Sequence, residues 1–218
     1  MLEQFRRPPF SNQEAKQKSQ ELLKTFQGRR TVRDFAPANV DEEIIKNAIK
    51  MASLAPNGAN KQPWKFSLIK NKNLRHKIRE RAEFNEEEFY WGEKYPVWKK
   101  DLKHLHTDEK KPFLTEADYL LAIFAENYSI DEYGEKSNHY YVKESVGIAT
   151  GFLICSLHQS GLNVLTYTPS KMQFLCEMLD RPRNEKLYIL LAIGVAHPEA
   201  CVPAIKKKNI EQVLIEHI

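Results

Sequence analysis

The sequence predicts an α+β fold, arranged as a three-layer α/β/α sandwich. Two apolar runs, DYLLAIFAE at 118–126 and EKLYILLAIGVA at 185–196, have the length and composition of buried strands. Helical patterns lie before, between and after other strand-like runs over all 218 residues. Because both element types alternate along the chain, we expect helices packed on the faces of one sheet, in a single domain at 1–218.

Local signals mark the elements that precede residue 92. A helix is expected where apolar residues recur every three or four positions, and a strand where they alternate with polar ones. An Asp or Asn can cap the start of a helix, and a Pro stops it. These rules predict three helices: one at 13–27, one between the cap Asp41 and the breaker Pro56, and one from the cap Asn71 to Trp91. They also predict extended chain at 31–35 and a strand at 64–68.

Residues 91–117 are aromatic and basic without a clean period. Connections of this length are uncommon in compact domains and are often functional. We therefore expect a lid segment at 84–115, which includes the end of the preceding helix.

A long helix is expected within HYYVKESVGIATGFLICSLHQSG at 139–161, ended by Gly161. It is apolar almost all round, which in a chain of this size suggests the core of a dimer. A short strand at 162–167 follows, and then a helix with Thr168 as cap and Pro169 as its first residue. The C-terminal extension at 197–218 ends in VLIEHI, which could add an edge strand to a partner chain.

Composition excludes several classes of protein. The net charge of +4, with acids and bases interleaved, is too mild for nucleic-acid binding but suits a phosphate-bearing ligand. Cys155, Cys176 and Cys201 have neither a disulfide framework nor a metal-binding spacing. No apolar run approaches the roughly 18 residues of a membrane span. We expect a cytoplasmic protein that binds no metal, nucleic acid or membrane.

Two groups of residues in the first quarter of the chain have the chemistry of a phosphate or ring site. Arg29, Arg30 and Arg33 offer planar forks of donors that suit a phosphate, and Thr31 adds a hydroxyl; alone, such a cluster is more often a solvated basic face. The turn APNGANKQPW has small residues that allow close approach to a ligand, and two amides that suit a heterocycle edge. It could equally be a plain helix-to-strand turn.

Two further groups lie later in the chain. Thr166 and Thr168 flank Tyr167 at a strand end that opens a helix, a common place for ligands, although Thr168 could serve only as a helix cap. Glu86 and Tyr90, four residues apart, share a helix face, and Lys111 lies in the lid segment. An acid, a phenol and an amine together could bind an amino-acid zwitterion, but Glu and Lys are abundant here.

In combination these groups resemble the FMN-dependent nitroreductase superfamily. RRTVRDF resembles its phosphate-binding start, and APNGANKQPWKF its Pro-Ser-x-x-Asn-x-Gln-Pro-Trp turn, in the same order and spacing. Within the superfamily the closer resemblance is to the iodotyrosine deiodinase family. It is carried by VWKKDLKHL, HYYVKESVGIATGFL, GLNVLTYTP and VPAIKKK. The chain departs from the deiodinase pattern at Asn57 and Asn60, and it has Lys207 where that family has Arg.

The resemblance implies a mixed, mostly antiparallel sheet and an intertwined homodimer with two FMN sites at its interface. It implies reductive dehalogenation of halotyrosines, a small aromatic substrate, with NAD(P)H or another reductant as electron source. The FMN contacts implied are Arg29, Arg30, Thr31, Arg33, Pro56, Asn57, Gly58, Asn60, Thr166, Tyr167, Thr168 and Lys207.

It also implies roles near the reacting atoms. Thr168 would lie near flavin N5, where a hydroxyl favours one-electron steps, and is the expected catalytic residue. The backbone N–H of Ala59 would meet the substrate phenolate. Glu86 would hold the substrate ammonium and Lys111 its carboxylate, while Tyr90 would help to close the lid segment.

Other functions stay open at this point. Asn60 is the residue of general nitroreductases, so an NAD(P)H-dependent nitroreductase or quinone reductase is the main alternative. A flavin-binding protein without enzymatic activity, or a purely structural protein, would explain the Arg cluster but not the Glu86, Tyr90 and Lys111 set.

Overall fold

The structure is a computed structural model that describes residues 3–168, 171 and 173–217. The helices in these ranges are α1 (Asn12–Gln27), α2 (Glu42–Ala52), α3 (Lys72–Trp91), α4 (Pro96–Leu102), α5 (Phe113–Glu116), α6 (Val142–Gln159) and α7 (Gln173–Met178). The strands are β1 (Phe35–Ala36), β2 (Trp64–Ile69), β3 (Tyr119–Glu126), β4 (Tyr128–Ile130), β5 (Lys136–Asn138), β6 (Asn163–Tyr167) and β7 (Glu185–Ala196). Short 3-10 turns lie at Gly58–Asn60, Lys103–Leu105 and Ile210–Gln212.

The central sheet is built around β7, the longest strand described. β3 pairs with one edge of β7 along its length, and β2 pairs with β3. β1 and β6 both pair with the other edge of β7. All four ladders are antiparallel, and an isolated parallel bridge joins Thr31 to Val164. The predicted mixed, mostly antiparallel sheet is confirmed.

The two faces of the sheet carry separate apolar cores because successive strand residues point to opposite sides. In β3, Leu120 and Phe124 pack on one face with residues of α3, α5 and α7. Leu121 and Ile123 pack on the other face with residues of α2 and α6. The three-layer α/β/α sandwich predicted from the sequence is therefore confirmed.

The predicted caps at the starts of α2 and α3 form. The side chain of Asp41 accepts the Glu43 N–H at 2.8 Å, and that of Asn71 accepts the Leu74 N–H at 3.0 Å. After α6, Gly161 adopts a φ of +79°, which favours glycine. After Thr168 the described helix is α7, Gln173–Met178, and Lys171 lies in a turn; the predicted helix start at Pro169, with Ser170 and Met172, lies outside the described residues.

Two regions contain structure that the sequence reasoning did not predict. β4 and β5 form a hairpin whose turn is held by Asp131, which accepts the N–H groups of Tyr133 and Glu135 through its carboxylate. Residues 91–117 contain α4, which begins at Pro96, and α5.

In the single chain, only one side of α6 packs on the sheet. Its other side leaves Ile148 41% and Phe152 36% exposed. Residues 213–217 form no strand here, so the addition of an edge strand to a partner stays a prediction. Within the described ranges, no helix combines the length and the apolar character needed to cross a membrane.

Candidate functional site

A cavity of about 400 Å³ lies between α3, the lid segment and the carboxyl end of β6. Glu86 and Tyr90 reach it from the last two turns of α3, and Lys111 from the chain just before α5. Thr166 and Tyr167 line it from β6, and Thr168 lines it from the position that follows the strand. The structure thus brings three of the four predicted substrate residues, Glu86, Tyr90 and Lys111, together with one of the predicted flavin groups, whereas Ala59 lies outside the lining.

The cavity contains two buried opposite charges. Lys111 Nζ lies 3.7 Å from Glu86 Oε2, and the two residues are only 6% and 7% exposed. The ammonium also lies 5.0 Å from the centre of the Tyr90 ring and donates to the Asp108 carbonyl oxygen. An ion pair so deeply buried lowers the stability of the fold unless each charge has further hydrogen-bond partners.

Burial changes the acidity of the groups around this pair. It lowers the pKa of Lys111, although the neighbouring Glu86 carboxylate opposes the shift. Burial raises the pKa of Tyr90, whose hydroxyl donates to Thr107 Oγ1 at 2.9 Å. The lysine ammonium is thus easier to deprotonate than in water, while the phenol stays neutral at physiological pH.

Tyr167 connects β6 to α3 across the cavity. Its hydroxyl donates to Glu86 Oε1 at 3.3 Å, and its ring meets Phe113 edge-on at 5.4 Å. Burial, followed by the Glu86 carboxylate, raises the pKa of Tyr167 strongly. The phenol therefore remains a donor, and it fixes one carboxylate oxygen of Glu86.

An aromatic cluster that the sequence reasoning missed forms another wall of the cavity. Phe89 meets Trp98 edge-on at 4.9 Å and stacks on Tyr95 at 5.6 Å. Phe89 and Trp98 line the cavity. The signal available in the sequence was the density of aromatic residues around the start of α4, which predicted a lid segment without naming its members.

The arginine cluster is divided between two places. Arg33 is half-buried and lines the large cavity, and burial lowers its pKa. Arg29 and Arg30 line a smaller cavity beside α6, where Arg30 donates to the Pro203 carbonyl oxygen. Thr31 makes the backbone bridge to β6 noted above, and Lys207 is exposed in the C-terminal extension.

The 56–60 turn lies apart from the large cavity, whose lining includes none of its residues. Ala59 and Asn60 both have positive φ angles, 51° and 53°. Asn57 uses both ends of its amide within the turn, donating to Ala55 O at 3.1 Å and accepting Gln62 N–H at 2.7 Å. A Cβ on Gly58 would lie 2.8 Å from the Tyr140 carbonyl oxygen, so glycine is required there.

Comparison with known proteins gives a consistent result. The model of the nitroreductase family matches residues 26–195. Iodotyrosine deiodinase of Haliscomenobacter hydrossis is 41% identical over 94% of this chain and 93% of its own length. Iodotyrosine deiodinase 1 of Mus musculus is 37% identical over 97% of this chain and 74% of its own.

Solved structures agree in fold. The crystal structure of oxidized iodotyrosine deiodinase bound to FMN and 3-iodo-L-tyrosine superposes with a TM-score of 0.77 at 29% identity, covering 90% of this chain and 98% of that one. A BluB-like flavoprotein from Clostridium difficile 630 gives a TM-score of 0.70 at 22% identity, covering 90% and 99%, which is a likeness of fold alone.

Proposed function

Because the chain belongs to the nitroreductase family, we propose that it is an FMN-dependent oxidoreductase that reductively dehalogenates halotyrosines. The observation that carries the proposal is the buried pair of Glu86 and Lys111 beside Tyr90 in the cavity. An amino-acid zwitterion carries the two complementary charges within a few bonds of each other. We call Glu86, Tyr90 and Lys111 the zwitterion site.

Binding exchanges one ion pair for two. Without substrate, the Lys111 ammonium has the Glu86 carboxylate as its partner. In the complex, Glu86 holds the substrate ammonium and Lys111 its carboxylate, each contact contributing about 1.5–3 kcal/mol when water is excluded. The aromatic walls of Phe89 and Trp98 would exclude water from the substrate ring. The backbone N–H of Ala59 would bind the phenolate once a second chain brings its own 56–60 turn to this cavity.

The donors present suit FMN. Guanidinium groups of Arg29, Arg30 and Arg33, with the Thr31 hydroxyl and Lys207, would hold the phosphate. Pro56, Gly58, Asn60 and Thr166–168 would line the ring, with the Thr168 hydroxyl near N5, and Asn57 would keep the turn in shape. FMN supplies the electrons of the dehalogenation, while the protein binds and orients the substrate and protects it from water.

The working form would be a homodimer with FMN between the chains. The exposed Ile148 and Phe152 on α6 support it, because they offer an apolar face for a second copy. The separation of the 56–60 turn from the cavity supports it too, since a partner chain can bring its own turn to that cavity. Sedimentation equilibrium that gives a monomer with FMN bound would contradict this arrangement.

We propose NAD(P)H or another reductant as the source of electrons and the cytoplasm as the compartment. The free thiols Cys155, Cys176 and Cys201 suit a reducing compartment.

Titration of the FMN-loaded protein with halotyrosine tests the proposal. Iodotyrosine and chlorotyrosine should quench the flavin fluorescence at micromolar concentration, while tyrosine should not, and reduced protein should release halide and tyrosine. Glu86→Gln should weaken iodotyrosine binding and leave FMN bound, and Glu87→Gln, on the exposed side of α3, is the matched control. Unchanged affinity in Glu86→Gln would count against the zwitterion site.

A nitroreductase or quinone reductase is the second candidate, favoured by Asn60 at the turn position where general nitroreductases have the same residue. It predicts steady turnover of nitroaromatics with NAD(P)H in a protein that does not bind halotyrosine. The same titration therefore separates the two functions.

A further inference from the structure

One face of α3 carries an unbroken series of contacts to the chain at 107–118. Its members are Arg75, Arg79, Glu83, Glu86 and Tyr90, spaced by four, four, three and four residues. Such spacing keeps side chains on one side of a helix. The last two members belong to the zwitterion site, and the first three lie outside the cavity lining.

Arg75 and Arg79 fix the chain that follows Lys111. The buried guanidinium of Arg75 donates to Leu114 O at 3.0 Å, to Asp118 O at 3.1 Å, and to Ala117 O. These are carbonyl groups at the end of α5, where a helix leaves acceptors unpaired. Arg79 Nη1 donates to Thr115 Oγ1 at 2.9 Å.

Glu83 fixes Lys111 itself. One carboxylate oxygen, Oε1, accepts the backbone N–H of Lys111 at 2.7 Å and Nε of Arg79 at 2.8 Å. Burial alone raises the pKa of Glu83, but these two donors outweigh it, and the pKa lies below its usual value. The carboxylate is therefore ionised at neutral pH and available as an acceptor.

We propose that Glu83 is a positioning residue that holds the backbone of Lys111 so that the ammonium points into the cavity. A lysine side chain has four rotatable bonds, so its ammonium finds one place only if its backbone is fixed. The tip of Lys111 is fixed by Asp108 O, and Glu83 fixes its base. Glu83 acts through Lys111 and does not touch the substrate. This inference rests on the proposed function.

The test compares two ligands in the FMN-loaded protein. 3-Iodo-L-tyrosine carries the carboxylate that Lys111 binds, whereas 2-iodophenol has the same ring without it. Glu83→Ala should weaken iodotyrosine binding about tenfold, the loss expected for one charge-assisted contact, and change iodophenol binding less than about twofold. Glu83→Gln keeps an acceptor for the Lys111 N–H and should restore most of the affinity. Glu87→Ala, on the exposed side of α3, is the control.

Three results would overturn the inference. Equal weakening of both ligands in Glu83→Ala would indicate general damage to the fold, and an unchanged iodotyrosine affinity in that variant would show that Lys111 needs no such support. A Gln variant as weak as Ala would show that charge, and not the acceptor, is what matters, which also rejects the positioning role.

Amide hydrogen exchange separates this inference from the proposed function. Glu83→Ala, but not Glu87→Ala, should speed exchange at the Lys111 amide with no ligand present. A wild-type protein that does not bind iodotyrosine refutes the proposed substrate, and faster exchange then still supports the anchoring of Lys111 by Glu83. Unchanged exchange refutes the anchoring, whatever the protein binds.

Discussion

The zwitterion site and the 56–60 turn obtain their shapes in different ways. The zwitterion site is assembled from α3, the lid segment and β6, and each charged group has a partner from another element. The turn is held by its own backbone, by the Asn57 amide and by close packing of Gly58 on Tyr140. The three residues of the first lie in one cavity of one chain, whereas Pro56, Ala59 and Asn60 of the second are exposed in that chain.

The variant with the largest expected effect on iodotyrosine affinity tests whether the zwitterion site and the 56–60 turn act separately. Lys111→Gln removes the cation and leaves the buried Glu86 carboxylate with Tyr167 as its partner. Iodotyrosine affinity should fall about 10- to 150-fold, the equivalent of 1.5–3 kcal/mol, while FMN binding stays unchanged. Lys100→Gln, an exposed lysine of α4, is the control. Loss of FMN in the Lys111 variant would show that the two regions are one unit.

Gly58→Ala acts on the other region. The added Cβ would lie 2.8 Å from the Tyr140 carbonyl oxygen and force the turn away from the chain just before α6. Overpacking of this kind costs about 1–3 kcal/mol, or about 2–12 °C in melting temperature for a chain of this size. The fraction of protein that retains FMN should fall together with the melting temperature. Gly28→Ala is the control, because its Cβ would make only an ordinary contact at 3.7 Å.

Tyr167→Phe should have a smaller effect, because the ring and its contact with Phe113 remain. Only the hydroxyl that donates to Glu86 is lost, and because this bond is long, at 3.3 Å, we expect no more than the loss of an ordinary hydrogen bond, a fall in iodotyrosine affinity of about 2- to 12-fold. Tyr133→Phe, an exposed tyrosine in the hairpin turn, serves as control. An equal fall in FMN affinity would place the phenol in the cofactor site instead.

The smallest effect is a shift along the pH axis. Burial lowers the pKa of Lys111 from the ordinary lysine value of 10.5, so the ammonium loses its proton at a lower pH than in water. Iodotyrosine affinity, which needs the charged form, should therefore fall as pH rises, beginning below 10.5. Lys111→Arg should move that fall to higher pH, because a guanidinium keeps its charge above pH 12. The affinity of 2-iodophenol, measured over the same pH range, corrects for ionisation of the phenol. If the fall in iodotyrosine affinity comes at the same pH in Lys111→Arg as in the wild type, Lys111 is excluded as the titrating group.

Much of the fold was predictable because its signals are local. Asp41 and Asn71 cap helices through their own neighbours, and the apolar runs of β3 and β7 are as long as the strands they form. Pro96 at the start of α4 and Gly134 in the β4–β5 turn were usable signals too, but no apolar period accompanies these short elements.

The three residues of the zwitterion site were named from the sequence, but the contacts that support them and the aromatic wall beside them were not. Glu86 and Tyr90 share a helix face by spacing, Lys111 was grouped with them for its amine in the lid segment, and the resemblance strengthened the set. The contacts of Tyr167 with Glu86 and of Glu83 with the Lys111 backbone depend on how α3 lies against β6 and the lid segment. No spacing in the sequence encodes that placement, so a structure was needed to reveal them.

The series of contacts along α3 has a consequence for insertions and deletions. Each residue added to an α-helix rotates everything beyond it by about 100°. One residue inserted between Glu83 and Glu86 would leave the anchor of Lys111 in place and turn Glu86 and Tyr90 away from it. Among relatives with the same function, insertions and deletions should therefore be absent from α3 and should occur in the loops that connect the neighbouring elements.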